Sequence, residues 1–184
     1  MIVSLFRRTE RETNRRIVDA IFERTVAAAR QPVLYADWGM PDTPLGRYES
    51  VALHMIVLMH RTRAQGPQIE ALAQEVLDEF FKDVDHSIRE LGVGDLGVPK
   101  RMKKLARMFY GRMGAYWQAI DDDDPDALAI AIRRNVMPDD PASERLAPAP
   151  IAAYMIASAR HLATQDNAAL LAGRIDYLTA GPAP

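Results

Sequence analysis

The chain has 184 residues, 48% of them hydrophobic, a formal charge of −2 and no cysteine. That length fits one cooperative core rather than two domains. The charge excludes a uniformly basic nucleic-acid binder, and the missing thiols exclude disulfides, thiolate zinc sites and cysteine nucleophiles.

Leucine, isoleucine, alanine and methionine dominate over Val/Thr/Tyr-rich alternation, and no alternating run leads into a hairpin turn, so the sequence predicts an all-α protein. The first residues, MIVSLFRRTERETNRRIV, lack a signal peptide's apolar region after their charges and carry Glu10 and Glu12. This predicts a cytoplasmic start. Ile17, Ile21, Phe22 and Val26 recur at helical spacing, predicting a helix from about Glu10 to Arg30. Residues 31–50 (QPVLYADWGMPDTPLGRYES) hold three prolines and two glycines and read as a long irregular loop. Tyr48–Arg63 is apolar nearly all round, as a central helix should be. Its run VALHMIVLM is about half the roughly 20 residues that a bilayer-spanning helix needs.

Gln68–Leu91 places Ile69, Leu72, Val76, Phe80, Val84, Ile88 and Leu91 on one stripe. Pro99 suits the first turn of a fourth helix, whose buried stripe is Met102, Leu105, Phe109, Met113, Tyr116 and Ile120. Asp121–Asp126 supplies capping and first-turn acids for a short helix through Arg134. Residues 137–150 form a proline-rich connection, and Ile151–Leu178 reads as two short helices packing back on the rest. The expected architecture is a single-domain irregular helical bundle over residues 1–184, with a long loop in its N-terminal half and a C-terminal helical pair.

Gly92-Val93-Gly94-Asp95-Leu96-Gly97 spells the G-x-G-x-x-G of dinucleotide-binding turns. Those turns follow a buried strand, whereas here a helical pattern precedes the glycines. The segment therefore reads as a helix joint, in which Gly92 permits a left-handed C-cap, Gly94 and Gly97 a reversal, and Asp95 accepts hydrogen bonds near the next helix. That helix carries Lys100, Arg101, Lys103, Lys104, Arg107 and Arg112 without an acid before Asp121, which predicts a strongly positive face.

An enzymatic alternative would use Glu79, Asp83, His86 and Glu90, spaced to share a helix face as metal ligands, or His54 as a base. Di-iron bundles draw a Glu-x-x-His from each of two helices, and this chain has none. A surface ion-pair ladder and a neutral core histidine are the simpler readings. No serine lies in a G-x-S-x-G context, and no cofactor is expected.

Four stretches, LYADWGMPDTPLGRYE (34–49), ALHMIVLMHR (52–61), FFKDVDHSIRELGVGDLGVPKRMKKLARMFYGRMGAY (80–116) and the end of AIAIRRNV (129–136), together resemble the ubiquinol-cytochrome c chaperone family. The resemblance spans roughly residues 10–180 and rests on order as well as content. Asp37, Pro41, Asp42, Gly46 and Arg47 match the family's loop, and His54 its apolar helix. Asp85, Arg89, Glu90, Gly92, Gly94 and Asp95 match its acidic-glycine signature. Lys100, Lys103, Phe109, Tyr110, Gly111, Arg112 and Asn135 match the basic-aromatic one. Trp38 and Met40 depart from the smaller or β-branched residues usual in the loop, and the long N-terminal extension of mitochondrial members is missing from the chain.

The resemblance implies a helical, non-enzymatic assembly factor that binds newly synthesised cytochrome b, or another apolar membrane-protein segment, during biogenesis of the cytochrome bc1 complex. Implied further contacts are a small partner subunit, the ribosome and the periphery of the inner membrane, with no specific DNA binding. Asp37, Asp42, Arg47, Asp85, Arg89, Glu90, Asp95, Lys100, Lys103, Tyr110 and Arg112 are expected to organise or line the contact surface. Gly92, Gly94 and Gly111 are expected to shape its backbone. An interaction module for an unrelated partner would carry the same surface.

Overall fold

A computed structural model describes residues 2–138 and 140–181, with side chains described from residue 12 onward. The described residues form helices and connections without a strand. In chain order the helices are α1 (Ile2–Ala29), α2 (Pro32–Ala36), α3 (Pro44–Thr62), α4 (Pro67–Glu90), α5 (Val98–Asp121), α6 (Pro125–Asn135), α7 (Pro148–Ala163) and α8 (Asn167–Leu171), with a 3-10 turn at Pro141–Ser143.

α3 is the central element. Ala52, Leu53, Met55, Ile56, Val57 and Leu58 are all buried on it, and α1, α4, α5 and α7 pack around it. The α4 stripe is buried at Ile69, Leu72, Val76, Phe80, Val84 and Ile88. Leu91, expected on that stripe, is instead 57% exposed. It is the C-cap residue, with ψ near 6°, so the helical register ends before it and its side chain leaves the buried face.

Three expectations about boundaries are corrected. α1 begins at Ile2 instead of Glu10, since no glycine or proline interrupts the segment through Ala29. The segment 31–50 is not all loop. Pro32 opens α2 and Pro44 opens α3, where Thr43 accepts a hydrogen bond from the Gly46 N–H at 3.1 Å. Proline lacks the N–H that a first helical turn leaves unpaired, so these residues start helices rather than end them. Finally, α7 is a full helix of 16 residues, whereas residues 172–181 run without helix as a strap along the bundle.

The strap is tied to the start of the chain. Gln31 Nε2 donates to Leu178 O at 3.1 Å, and the Ala180 N–H donates to Gln31 Oε1 at 2.6 Å. Its own Ile175 and Ala180 are buried. At the far end of α3, the buried Arg61 donates to Leu162 O (2.8 Å), Gln165 O (2.6 Å) and Asn167 Oδ1 (2.7 Å), which ties α3 to the turn between α7 and α8. Among the described residues no helix is long and apolar enough to cross a membrane.

Candidate functional site

The loop before α3 is shaped by close backbone approach. A Cβ on Gly39, where φ is +70°, would lie 2.0 Å from Arg145 O, and one on Gly46 would lie 1.9 Å from Pro41 O. Only glycine fits either position without moving backbone. The Ala147 N–H donates to Trp38 O at 2.8 Å, so this loop also holds the connection leading into α7. Trp38 and Met40 are both buried, and Trp38 meets the Tyr154 ring at 5.6 Å between centroids. Asp37 and Asp42 are exposed, and Arg47 Nε donates to Asp42 Oδ1 at 2.7 Å on the surface.

Just inside α3, Glu49 forms an ion pair with Arg112 of α5, both side chains having no exposure. Arg112 does not belong to the basic surface expected from the sequence. It follows Phe109 by three residues and precedes Tyr116 by four, so it falls on the buried stripe of α5. Burial works against its charge, but the Glu49 carboxylate outweighs this and raises the guanidinium pKa further. Burial pushes the Glu49 carboxyl up, with Arg112 opposing the shift. Beside the pair, Tyr48 donates to Leu105 O at 2.8 Å and stacks on Phe80 at 5.7 Å. The rings continue through Phe109 and Phe81 to Tyr110, which is 53% exposed. This aromatic ladder runs from the core to the outer face of α5.

The α4–α5 joint contains the glycine signature. Gly92 has φ +79°, and its N–H donates to Arg89 O at 2.9 Å, closing α4. Arg89 donates through Nε to Asp85 Oδ2 (2.7 Å) and through Nη1 to Asp95 Oδ1 (2.5 Å), clasping the turn to the helix. A Cβ on Gly94 would meet nothing within 4 Å. Glu90 pairs with His86 at 3.1 Å. Glu79 pairs instead with Arg15 at 2.9 Å and Lys82 at 3.2 Å, and Asp83 is exposed. Among the described residues no three His, Cys, Asp or Glu side chains are grouped to hold a metal ion.

Lys100, Arg101, Lys103, Lys104 and Arg107 are exposed and have no ion-pair partner among the described residues. Tyr110, Gly111 and Gly114 continue the same outer face, and a Cβ on either glycine would meet open space. His54 lies elsewhere, buried between Ser50 O (Nδ1, 2.8 Å) and the Tyr154 hydroxyl (Nε2, 3.0 Å). Burial lowers its pKa to about 4, leaving a neutral imidazole whose ring meets Tyr177 of the C-terminal strap at 5.7 Å. It has the bonding of a structural histidine, and the interior space beside it is lined mainly by Leu34, Met40, Leu53, Val57, Ile151 and Met155.

The profile of the family described as ubiquinol-cytochrome C chaperone matches residues 36–178. The chain belongs to that family. Among solved structures, the chain is similar to the Cbp3 homolog from Brucella abortus, at 52% identity, a TM-score of 0.83 and 97% coverage of each chain. A comparison with curated proteins found no match. Membership makes the chain a chaperone in bc1 complex assembly, and the matched stretch contains both the α4–α5 joint and the outer face of α5.

Within this ubiquinol-cytochrome c chaperone, most of the expected residues separate into four groups. Arg112 and the unforeseen Glu49 form a buried link between the loop and helix signatures. Asp85, Arg89 and Asp95 form the surface clasp. Lys100, Lys103 and Tyr110 are presented outward, while Asp42 and Arg47 form a separate surface pair. One signal for Glu49 was available in the sequence, namely a cation at Arg112 in phase with an apolar stripe, which demands a buried counter-charge.

Proposed function

We propose that this chain acts without catalysis, as one helical domain, and holds newly made cytochrome b or another apolar membrane-protein segment during assembly of the bc1 complex. The observation that carries the reading is the outer face of α5 within the family match. Tyr110, Gly111 and Gly114 lie uncovered there, beside cations that have no ion-pair partner among the described residues. A tyrosine next to open glycine backbone suits close approach of an apolar helix. Lys100 and Lys103 would meet anionic groups flanking the client, and the Arg89 clasp would hold the adjoining turn in place. A small partner subunit and the ribosome are further proposed contacts, with the chain working in the cytoplasm at the periphery of the inner membrane.

The test is affinity purification of the tagged chain from its own cells in mild detergent, at low and moderate salt, with mass spectrometry of the bound proteins. Cytochrome b retained at both salts supports a specific client. Ribosomal proteins lost at moderate salt would assign an electrostatic ribosome contact. Absence of cytochrome b and every other apolar membrane protein, while other membrane complexes survive the preparation, overturns the reading.

A further inference from the structure

The α4–α5 turn combines two features that the bundle itself does not use. Leu96 is 99% exposed and Leu91 57% exposed, although Ile88 and Val98 on either side are buried. A lone surface leucine is ordinary. Here two stand at one end of a helical hairpin, on a turn fixed by the Arg89 clasp and by the Gly97 N–H donating to Gly94 O at 2.7 Å. The second feature is charge. Between Arg89 and Arg107 there are six cations and two acids, in a chain whose net charge is −2. Lys100, Arg101, Lys103, Lys104 and Arg107 have no ion-pair partner among the described residues and cover about 10 Å of helix beyond the turn. The first turn of α5 also has no side-chain cap, which leaves its N–H groups facing the same end.

We propose that this turn is a membrane-surface contact, in which Leu91 and Leu96 enter the interfacial layer of an anionic bilayer while the α5 cations bind its phosphate headgroups. Aliphatic wedges beside lysine and arginine fit that layer, where apolar burial and headgroup attraction add. Single-stranded RNA would be gripped by stacking on several aromatic rings, whereas this face exposes one, Tyr110, and the turn itself offers leucines. The contact rests on the proposed work at the inner membrane and uses the same α5 cations, but vesicles test it without a client.

The chain has no cysteine, so Leu96→Cys accepts a single environment-sensitive NBD label. With phosphatidylglycerol vesicles, the label's emission should rise and shift to the blue. With phosphatidylcholine vesicles it should not change. A label at Ala163→Cys, beside Leu162 at the Arg61 end of the bundle, should respond to neither. In co-sedimentation, Leu96→Asp should lower partition onto phosphatidylglycerol vesicles by about ten-fold or more. Lys103→Ala with Lys104→Ala should lower it about five-fold for each charge removed. Both variants alter exposed positions, and unchanged thermal melts verify that they fold. An unresponsive label at position 96, or equal partition of Leu96→Asp and wild type, overturns the proposal. Binding to purified ribosomes that survives Leu96→Asp, with no vesicle binding, also overturns it and assigns the cations to RNA.

Discussion

Glu49 and Arg112, 63 residues apart, meet as a fully buried ion pair that fastens the start of α3 to the middle of α5. Removing one partner strands the other charge, whereas replacing both by apolar groups does not. Arg112→Met alone should cost about 3–5 kcal/mol. Combining it with Glu49→Leu should recover most of that loss. Urea unfolding of the two singles and the double decides this, and additive losses would show that the pair is not coupled.

The folded state keeps His54 neutral, with a pKa lowered by burial from the ordinary 6.5 to about 4. The unfolded chain therefore binds the proton first as pH falls. Stability contributed by the neutral ring is complete above pH 6.5 and is lost progressively down to about pH 4, a total of about 3 kcal/mol. Unfolding free energies measured across that window should fall more steeply for wild type than for His54→Gln. Parallel slopes would mean that the ring charges without cost.

Glycine substitutions should divide by position. Gly39→Ala and Gly46→Ala drive a methyl into backbone oxygens and should unfold or strongly destabilise the chain. Gly111→Ala and Gly114→Ala place a methyl in open space within a helix and should each stabilise it by up to about 1 kcal/mol. Thermal melts check both halves. If Gly111→Ala is more stable yet recovers less client in affinity purification, the glycine is kept for a partner's close approach.

Arg89→Ala releases Asp95 without opening the core, because the clasp lies wholly on the surface. The melting temperature should hardly move. Amide hydrogen exchange at residues 92–97 should accelerate selectively, since a locally tethered turn opens on its own once the tether is gone. Uniform acceleration across α4 and α5 would instead give Arg89 a global role.

Periodicity made the long helices legible, because the stripes of α4 and α5 rest on local spacing alone. Two prolines were read with the wrong sign, although Pro99 was read correctly as a helix starter. Pro32 and Pro44 stand in a segment dense with breakers, and their role as helix starters depends on which side the packed residues lie, with Leu34 buried after one and Tyr48 after the other. The family signatures exposed the importance of Arg112 but not its direction, since its partner is fixed only when α3 and α5 pack. Leu96 went unremarked for a different reason. In a linear reading it is one leucine among many, and its exposure follows from where Leu91 leaves the helix and Gly97 reverses the chain.

The strap couples distant moments of the protein's synthesis. Two of the groups that satisfy Gln31, Leu178 O and the Ala180 N–H, lie 147 and 149 residues later. Tyr177 likewise supplies a ring against His54 and a hydroxyl 3.0 Å from Thr25. Before the strap docks, the helices leave an open seam along α1 and α3, with the strap's two bonds to the Gln31 amide unmade. Closing so long a loop comes late, because its ordering cost precedes the contacts that repay it. This chaperone therefore seals its own interior only once Tyr177, Leu178 and Ala180 have docked, and the helices alone leave that seam unsealed.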